Sequence, residues 1–178
     1  MKTAIALVAV LALASVSYGQ AFWSFENDSN GFAAITSFSD TIGVTDGSYS
    51  AELTDHGWLA YQNGSGSFVN DMRVNDTVLI DFTRPGYAGQ QVMLQLACDG
   101  KTWTSGYLPL TGNGATDTIA FEYGDMSMVP ENGWGWFKLG LVGGSDPVYM
   151  DNVRFVPEPA TMALLGLGSV AALIRRRR

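Results

Sequence analysis

Between Phe22 and Phe155 the chain is constrained most by short runs in which apolar and polar residues alternate. In Gln91–Cys98 the residues Val92, Leu94, Leu96 and Cys98 occupy every second position. Successive side chains of an extended chain point to opposite faces, so these four share one face and belong inward. In Thr77–Thr83 the inward set is Val78, Ile80 and Phe82, and Asp81 points out. In Thr118–Tyr123 it is Ile119, Phe121 and Tyr123. Turn clusters such as Thr45-Asp46-Gly47, Gln62-Asn63-Gly64-Ser65-Gly66, Arg84-Pro85-Gly86, Asp99-Gly100 and Val142-Gly143-Gly144 separate the runs. Strands are predicted at Phe22–Glu26, Ala33–Phe38, Tyr49–Leu53, Trp58–Tyr61, Thr77–Thr83, Gln91–Cys98, Trp103–Leu108, Thr118–Tyr123, Trp136–Val142 and Val148–Phe155. No helical period of useful length appears. Short antiparallel strands at this spacing predict an all-β domain, an antiparallel β-sandwich of the jelly-roll kind.

Alternation also sorts the residues that carry chemistry. In Trp136–Val142 the inward set is Phe137, Leu139 and Leu141, which leaves Trp134, Trp136 and Lys138 on the other face. Flat aromatic rings stack on the C–H faces of sugars, and neighbouring polar groups bond the hydroxyls. The trio is therefore a candidate carbohydrate platform, unless a loop such as Gly64–Asn70 covers it. Trp58, Tyr61, Trp103 and Tyr107 are lesser candidates of the same kind. In Val148–Phe155, Asp151 shares a face with Tyr149, Val153 and Phe155 and is expected to point inward. A lone buried charge is costly, so Asp151 needs a partner. It either binds calcium with Glu26 and Asp46 as further oxygen ligands, or bonds backbone amides or Arg154 with no metal.

Charge narrows the class of partner. From Ala21 to Val156 five basic residues (Arg73, Arg84, Lys101, Lys138, Arg154) stand against sixteen acids. Phosphate backbones repel such a domain, so nucleic acid is not expected as a partner. One cysteine, Cys98, makes no internal disulfide. The one histidine, His56, sits in a predicted turn and leaves a His–Cys dyad without support, because Cys98 points inward. Function by binding, without catalysis, is the expectation; a structural surface role or a secreted glycoside hydrolase, which needs two carboxylates about 5 to 9.5 Å apart in a groove, are the alternatives.

Both ends read as addresses. Met1-Lys2-Thr3, the apolar Ala4–Ala14 and the small-residue stretch to Ala21 have the order of a secretory signal peptide, residues 1–21, cut after Gly19 or after Ala21. The sandwich domain then spans 22–155. The last segment, 156–178, holds Val156-Pro157-Glu158-Pro159, an uncharged run over 160–174, and Arg175, Arg176, Arg177 and Arg178. Prolines keep the first part extended. The run is a short hydrophobic helix and transmembrane segment, below the roughly 20 residues that cross a bilayer comfortably. The arginines hold its end on the cytoplasmic side.

The order Pro157-Glu158-Pro159, apolar run, arginine end resembles the PEP-CTERM protein-sorting signal of Gram-negative bacteria. The same motif is also described as the C-terminal part of ice-binding proteins, but the threonines here are scattered and form no flat, regular face. The resemblance implies recognition by an exosortase, a membrane processing enzyme, and cleavage near Pro157-Glu158-Pro159. It implies delivery to the cell envelope, the outer surface or an exopolysaccharide matrix, with transient or permanent inner-membrane anchoring. The pattern Phe25-Glu26, Gly31-Phe32, Thr45-Asp46-Gly47-Ser48-Tyr49-Ser50 and Val148-Tyr149-Met150-Asp151-Asn152-Val153 resembles the galactose-binding-like jelly rolls of carbohydrate-binding modules. Members often hold a structural calcium between first and last strands, which by position falls to Glu26, Asp46 and Asp151.

Overall fold

The computed structural model describes residues 23–26, 28–32, 35, 37–53, 58–63, 67–86, 89–126, 133–144 and 146–156. The expected signal peptide, His56, the 160–174 segment and the sorting residues Pro157, Glu158, Pro159, Arg175, Arg176, Arg177 and Arg178 lie outside the described residues. The elements are β1 (Ser37–Ser39), β2 (Ser50–Leu53), β3 (Trp58–Asn63), helix α1 (Ser67–Val74), β4 (Thr77–Thr83), β5 (Gln91–Cys98), β6 (Lys101–Thr104), β7 (Leu108–Pro109), β8 (Thr116–Glu122), β9 (Gly135–Val142) and β10 (Val148–Val156). They form two antiparallel sheets. One runs β1-β2-β10-β4-β8; the other runs β3-β9-β5-β6, with β7 pairing the far end of β5. The predicted jelly-roll sandwich is the fold.

The inward sets close on one another. Val78, Ile80 and Phe82 from β4 meet Val92, Leu94 and Leu96 from β5 and Phe137, Leu139 and Leu141 from β9, all buried. Cys98 is buried with them. β4 and β5 have the predicted ends. The predicted Trp103–Leu108 strand is two strands. Between them the Ser105 amide donates to Leu94 O at 2.8 Å, and Ser105 Oγ accepts the Leu94 amide at 2.9 Å. A side-chain oxygen thus replaces a ladder acceptor, and Pro109 stands at the sheet edge, where its missing N–H does no harm. Of the predicted Phe22–Glu26 strand, the described residues Trp23–Glu26 form no strand: Trp23 makes one bridge to Val153, and Phe25 turns at φ +53°. Of Ala33–Phe38, Ser37 and Phe38 enter β1, and Ala33, Ala34 and Thr36 lie outside the described residues.

Helix α1 has no counterpart in the sequence expectations. It is about two turns long, too short to display a period, and its stability comes from packing. Phe68, Val69 and Met72 lie at i, i+1 and i+4 and are fully buried. Its C-terminal carbonyls are met from outside the ladder: Asn75 Nδ2 donates to Asp71 O at 2.8 Å, and Tyr123 Oη to Met72 O at 3.1 Å. Phe68, Trp23, Phe32, Phe137 and Phe155 form an aromatic cluster, with Trp23–Phe32 centroids 4.9 Å apart and Trp23–Phe137 5.2 Å. Gly135 lets the helix seat against β9. A Cβ there would lie 2.7 Å from Val69 Cγ2 and 3.0 Å from the Ala97 carbonyl oxygen. Gly135→Ala is expected to destabilise by about 1–3 kcal/mol by overpacking, measured by urea unfolding.

One strand departs from simple alternation. β10 pairs Tyr149 with Thr83 and Asp151 with Asp81, then shifts register before pairing Arg154 with Leu79 and Phe155 with Val78. Asn152 sits in the shift at φ +53°. This β-bulge puts one extra residue into β10 and changes the face to which the next residues point. Asp151 therefore leaves the sandwich interior and stands on the outer side of the sheet with Asp81, while Phe155 turns inward. The expectation that Asp151 points inward beside Val153 and Phe155 is corrected by the bulge. Asp151 is still 0% exposed, because the chain around Thr45 and Asp46 lies over it.

Candidate functional site

Two places hold the residues singled out above. The first is the outer face of the β3-β9-β5-β6 sheet. Since Phe137, Leu139 and Leu141 are buried, Trp136 and Lys138 occupy the outer side of β9, both half-buried. Lys138 Nζ lies 4.0 Å from the centroid of the Trp136 ring, a cation–π contact. Cross-strand register gives the neighbours. Lys138 faces Gln95 on β5, Trp136 faces Ala97, and Gly140 faces Met93. Beyond β5, Thr104 faces Gln95 and Thr102 faces Ala97. Gln95 Nε2 donates to Thr104 Oγ1 at 3.0 Å, which fixes the amide plane beside the lysine.

Trp134 precedes β9. Its carbonyl oxygen accepts the Asp99 amide at 3.2 Å, which ties it to the β5–β6 turn, and 49% of its surface is exposed. Of the trio proposed from sequence, Trp136 and Lys138 are in contact on β9, and Trp134 stands exposed just ahead of that strand. Trp134 offers an open ring, whereas one face of the Trp136 ring carries the lysine. Among the lesser aromatic candidates, Trp103 packs inward against Tyr123 with centroids 6.2 Å apart. Tyr107 is exposed on the segment between β6 and β7. Trp58 and Tyr61 lie on β3, paired with Gly140 and Phe137.

The second place is the Thr45–Ser48 turn. Asp151 Oδ2 accepts the amides of Thr45 (2.7 Å) and Asp46 (2.8 Å) and the Thr45 hydroxyl (3.2 Å). Asp151 Oδ1 accepts the Asn152 amide at 2.8 Å. Glu26 Oε1 accepts the Ser48 amide at 2.8 Å. Gly47 (φ +71°) passes so close to the Glu26 carboxylate that a side chain there would collide with it. The network continues across the outer side of the sheet. Asn152 Nδ2 donates to Asp81 Oδ2 at 2.8 Å, while Thr118 and Arg154 donate to Asp81 Oδ1 at 2.7 and 3.3 Å. Burial raises the Asp151 pKa above the ordinary aspartate value, with the bonds from Asp46, Thr45 and Asn152 pulling the other way.

Calcium requires a shell of oxygens. Here Asp151 and Glu26 face N–H and O–H donors, and the turn presents hydrogens where a cation would need lone pairs. Among the described residues no group of three His, Cys, Asp or Glu side chains is placed to hold a metal ion. The donor set thus fits the amide-bonded alternative and not a calcium cage. Cys98 is no more reactive: burial, with Asp99 beside it, pushes its thiol pKa up to about 11, so it stays protonated at neutral pH.

Residues 155–178 match the PEP-CTERM protein-sorting motif. The PEP-CTERM segment marks an exported protein handled at the cell envelope and implies exosortase processing. No curated protein matches the chain in sequence. Solved structures match in fold. The C-terminal family 22 carbohydrate-binding module of Clostridium thermocellum Xyn10B superposes with a TM-score of 0.56 at 11% identity, covering 80% of this chain and 96% of that one. A xylan-binding domain of family 22 gives 0.54 at 12% identity, covering 78% and 95%. The CBM22-1 xylan-binding domain of Paenibacillus barcinonensis Xyn10C gives 0.50 at 14% identity, covering 76% and 93%. The PEP-CTERM tail is thus joined to a sandwich of carbohydrate-binding-module architecture. Within the described residues no helix is long and apolar enough to cross a membrane.

Nothing in the local sequence marks Gln95, Thr104, Met93 or Gly140 as neighbours of Trp136 and Lys138. The alternate positions of Gln91–Cys98 were the available signal, but which residue faces Lys138 depends on strand register, and that pairing is made across the sheet.

Proposed function

We propose that the domain is an exported carbohydrate-binding module, which grips a polysaccharide on the outer face of β9 and β5 and acts without catalysis. Trp134 supplies the stacking ring, Trp136 its neighbour, and Lys138 and Gln95 the polar contacts. The PEP-CTERM tail delivers the domain to an exosortase-like membrane enzyme, which places it at the cell surface or in an exopolysaccharide matrix. The observation that carries this reading is Trp134: a tryptophan 49% exposed, two residues ahead of the half-buried Trp136 on β9 of a jelly roll. A large aromatic left in water without a partner is costly, and such rings are typical anchors for sugars. The turn at Thr45–Ser48 holds itself without calcium in this reading.

Affinity electrophoresis through gels containing neutral and acidic polysaccharides tests it. Trp134→Ala is expected to abolish retardation, and Trp136→Ala to weaken it by about tenfold, with little change in Tm for Trp134→Ala, since exposed substitutions stay within about 0.5 kcal/mol. The cation–π contact favours a second reading, in which Trp136 and Lys138 serve structure alone. It predicts a lower Tm for Trp136→Ala and no retardation of the parent protein by any glycan.

A further inference from the structure

The two sheets divide the charge of the domain. The strands β1, β2, β4, β8 and β10 carry Glu52, Asp81, Asp117, Glu122 and Asp151 against Arg154. The strands β3, β5, β6, β7 and β9 carry no acid and two lysines, Lys101 and Lys138. In a chain with seventeen acids and ten bases this segregation leaves one sheet without a carboxylate. Only Lys138 of those two stands in the outward row of its strand; Lys101 pairs with Cys98, in the inward row. Asp99 lies beyond the end of β5, and its carboxylate accepts the Cys98 thiol at 3.8 Å. Among the described residues the ion pairs are Arg84–Asp146 and Arg154–Asp81, and Lys138 belongs to neither.

We propose that this acid-free face takes a carboxylate-bearing polysaccharide, with the ammonium of Lys138 pairing with a uronate while Trp134 stacks on a sugar ring. The proposal rests on the carbohydrate-binding reading and narrows it to acidic glycans. The Trp136 ring occupies one side of the ammonium and leaves its other N–H donors for an incoming oxygen. Gln95, held by Thr104, stands beside it to bond a hydroxyl. The rest of the domain, though acidic, does not defeat the contact. The sheets of a sandwich lie about 10 Å apart, and outward carboxylates on the far sheet are farther still. Screening length at physiological salt is about 8 Å, so the far charges are damped while a pair in contact is not. The acidic sheet also repels the same polymer, which confines docking to one face.

The test uses polygalacturonate, alginate and hyaluronate, with methyl-esterified polygalacturonate and xylan as neutral controls, at about 0.15 M salt. The expected result is retardation by at least one carboxylated polymer. For polygalacturonate, the preference over its methyl ester is expected to be about fivefold, the worth of one partly exposed ion pair. Lys138→Met, which keeps an apolar stem over Trp136, should erase that preference and leave Tm unchanged. Equal or stronger retardation by the neutral controls overturns the acidic assignment while the binding reading stands. A preference that survives Lys138→Met overturns the role of Lys138. No retardation by any polymer removes both readings together.

Discussion

Asp151→Ala is expected to lower stability by about 3–5 kcal/mol, seen as a fall in Tm of roughly 10–20 °C. The carboxylate is fully buried and accepts three backbone amides and one hydroxyl. Alanine leaves those amides without acceptors under the Thr45–Ser48 turn, and each stranded donor costs about 1–3 kcal/mol. It also frees Asn152, which holds Asp81 at the bulge. Tm should be the same in calcium and in EDTA, because amide hydrogens and not a cation neutralise the group. A calcium-dependent rise in Tm that Asp151→Ala removes would restore the metal. The pH dependence has a definite sign. Burial raises this carboxyl above its unfolded value, so the folded chain holds the proton more tightly. The associated stability is complete below the unfolded value of about 3.9 and is lost as pH rises through the folded one. The Tm gap between the parent and Asp151→Asn should therefore narrow as pH rises above about 4.

How far the chain is legible before folding is set by what each residue depends on. Val92, Leu94, Leu96 and Cys98 depend on local alternation, and their burial is readable from eight residues. The side on which Trp136 and Lys138 lie is fixed in the same way by Phe137, Leu139 and Leu141. Asp151 depends on a bulge at Asn152 that exists only because β10 pairs with β4, and no period of two announces it. The α1 helix depends on a cavity between the sheets that Phe68, Val69 and Met72 fill, so its apolar residues make sense only with the aromatic cluster around them. Glu26 and Asp151 were visible as acids that meet one turn; that they meet its amides and not an ion depends on backbone orientation at Thr45, Asp46 and Ser48. The sorting tail is legible for the opposite reason. Its signal lies in a linear order of proline, apolar run and arginine, and it needs no tertiary contact to be read.

The other large effect belongs to Trp23, which stands just beyond the proposed signal-peptidase sites. Its indole is 4% exposed and touches Phe32, Phe68, Phe137 and Phe155, so it joins α1, both sheets and the N-terminal segment. Its amide and carbonyl exchange hydrogen bonds with Val153 at 3.3 and 3.0 Å, which fastens that segment to β10 at the bulge itself. Trp23→Ala removes the centre of this cluster, and the surrounding rings, held by α1, β9, β10 and the N-terminal segment, collapse onto a void only in part. The expected loss is about 3–5 kcal/mol, measured by chemical denaturation. Cuts after Gly19 and after Ala21 both retain Trp23. A chain beginning at Ser24 should therefore unfold as readily as Trp23→Ala, whereas one beginning at Phe22 should keep the full Tm. Equal stability of the two truncations would show that the sandwich closes without Trp23.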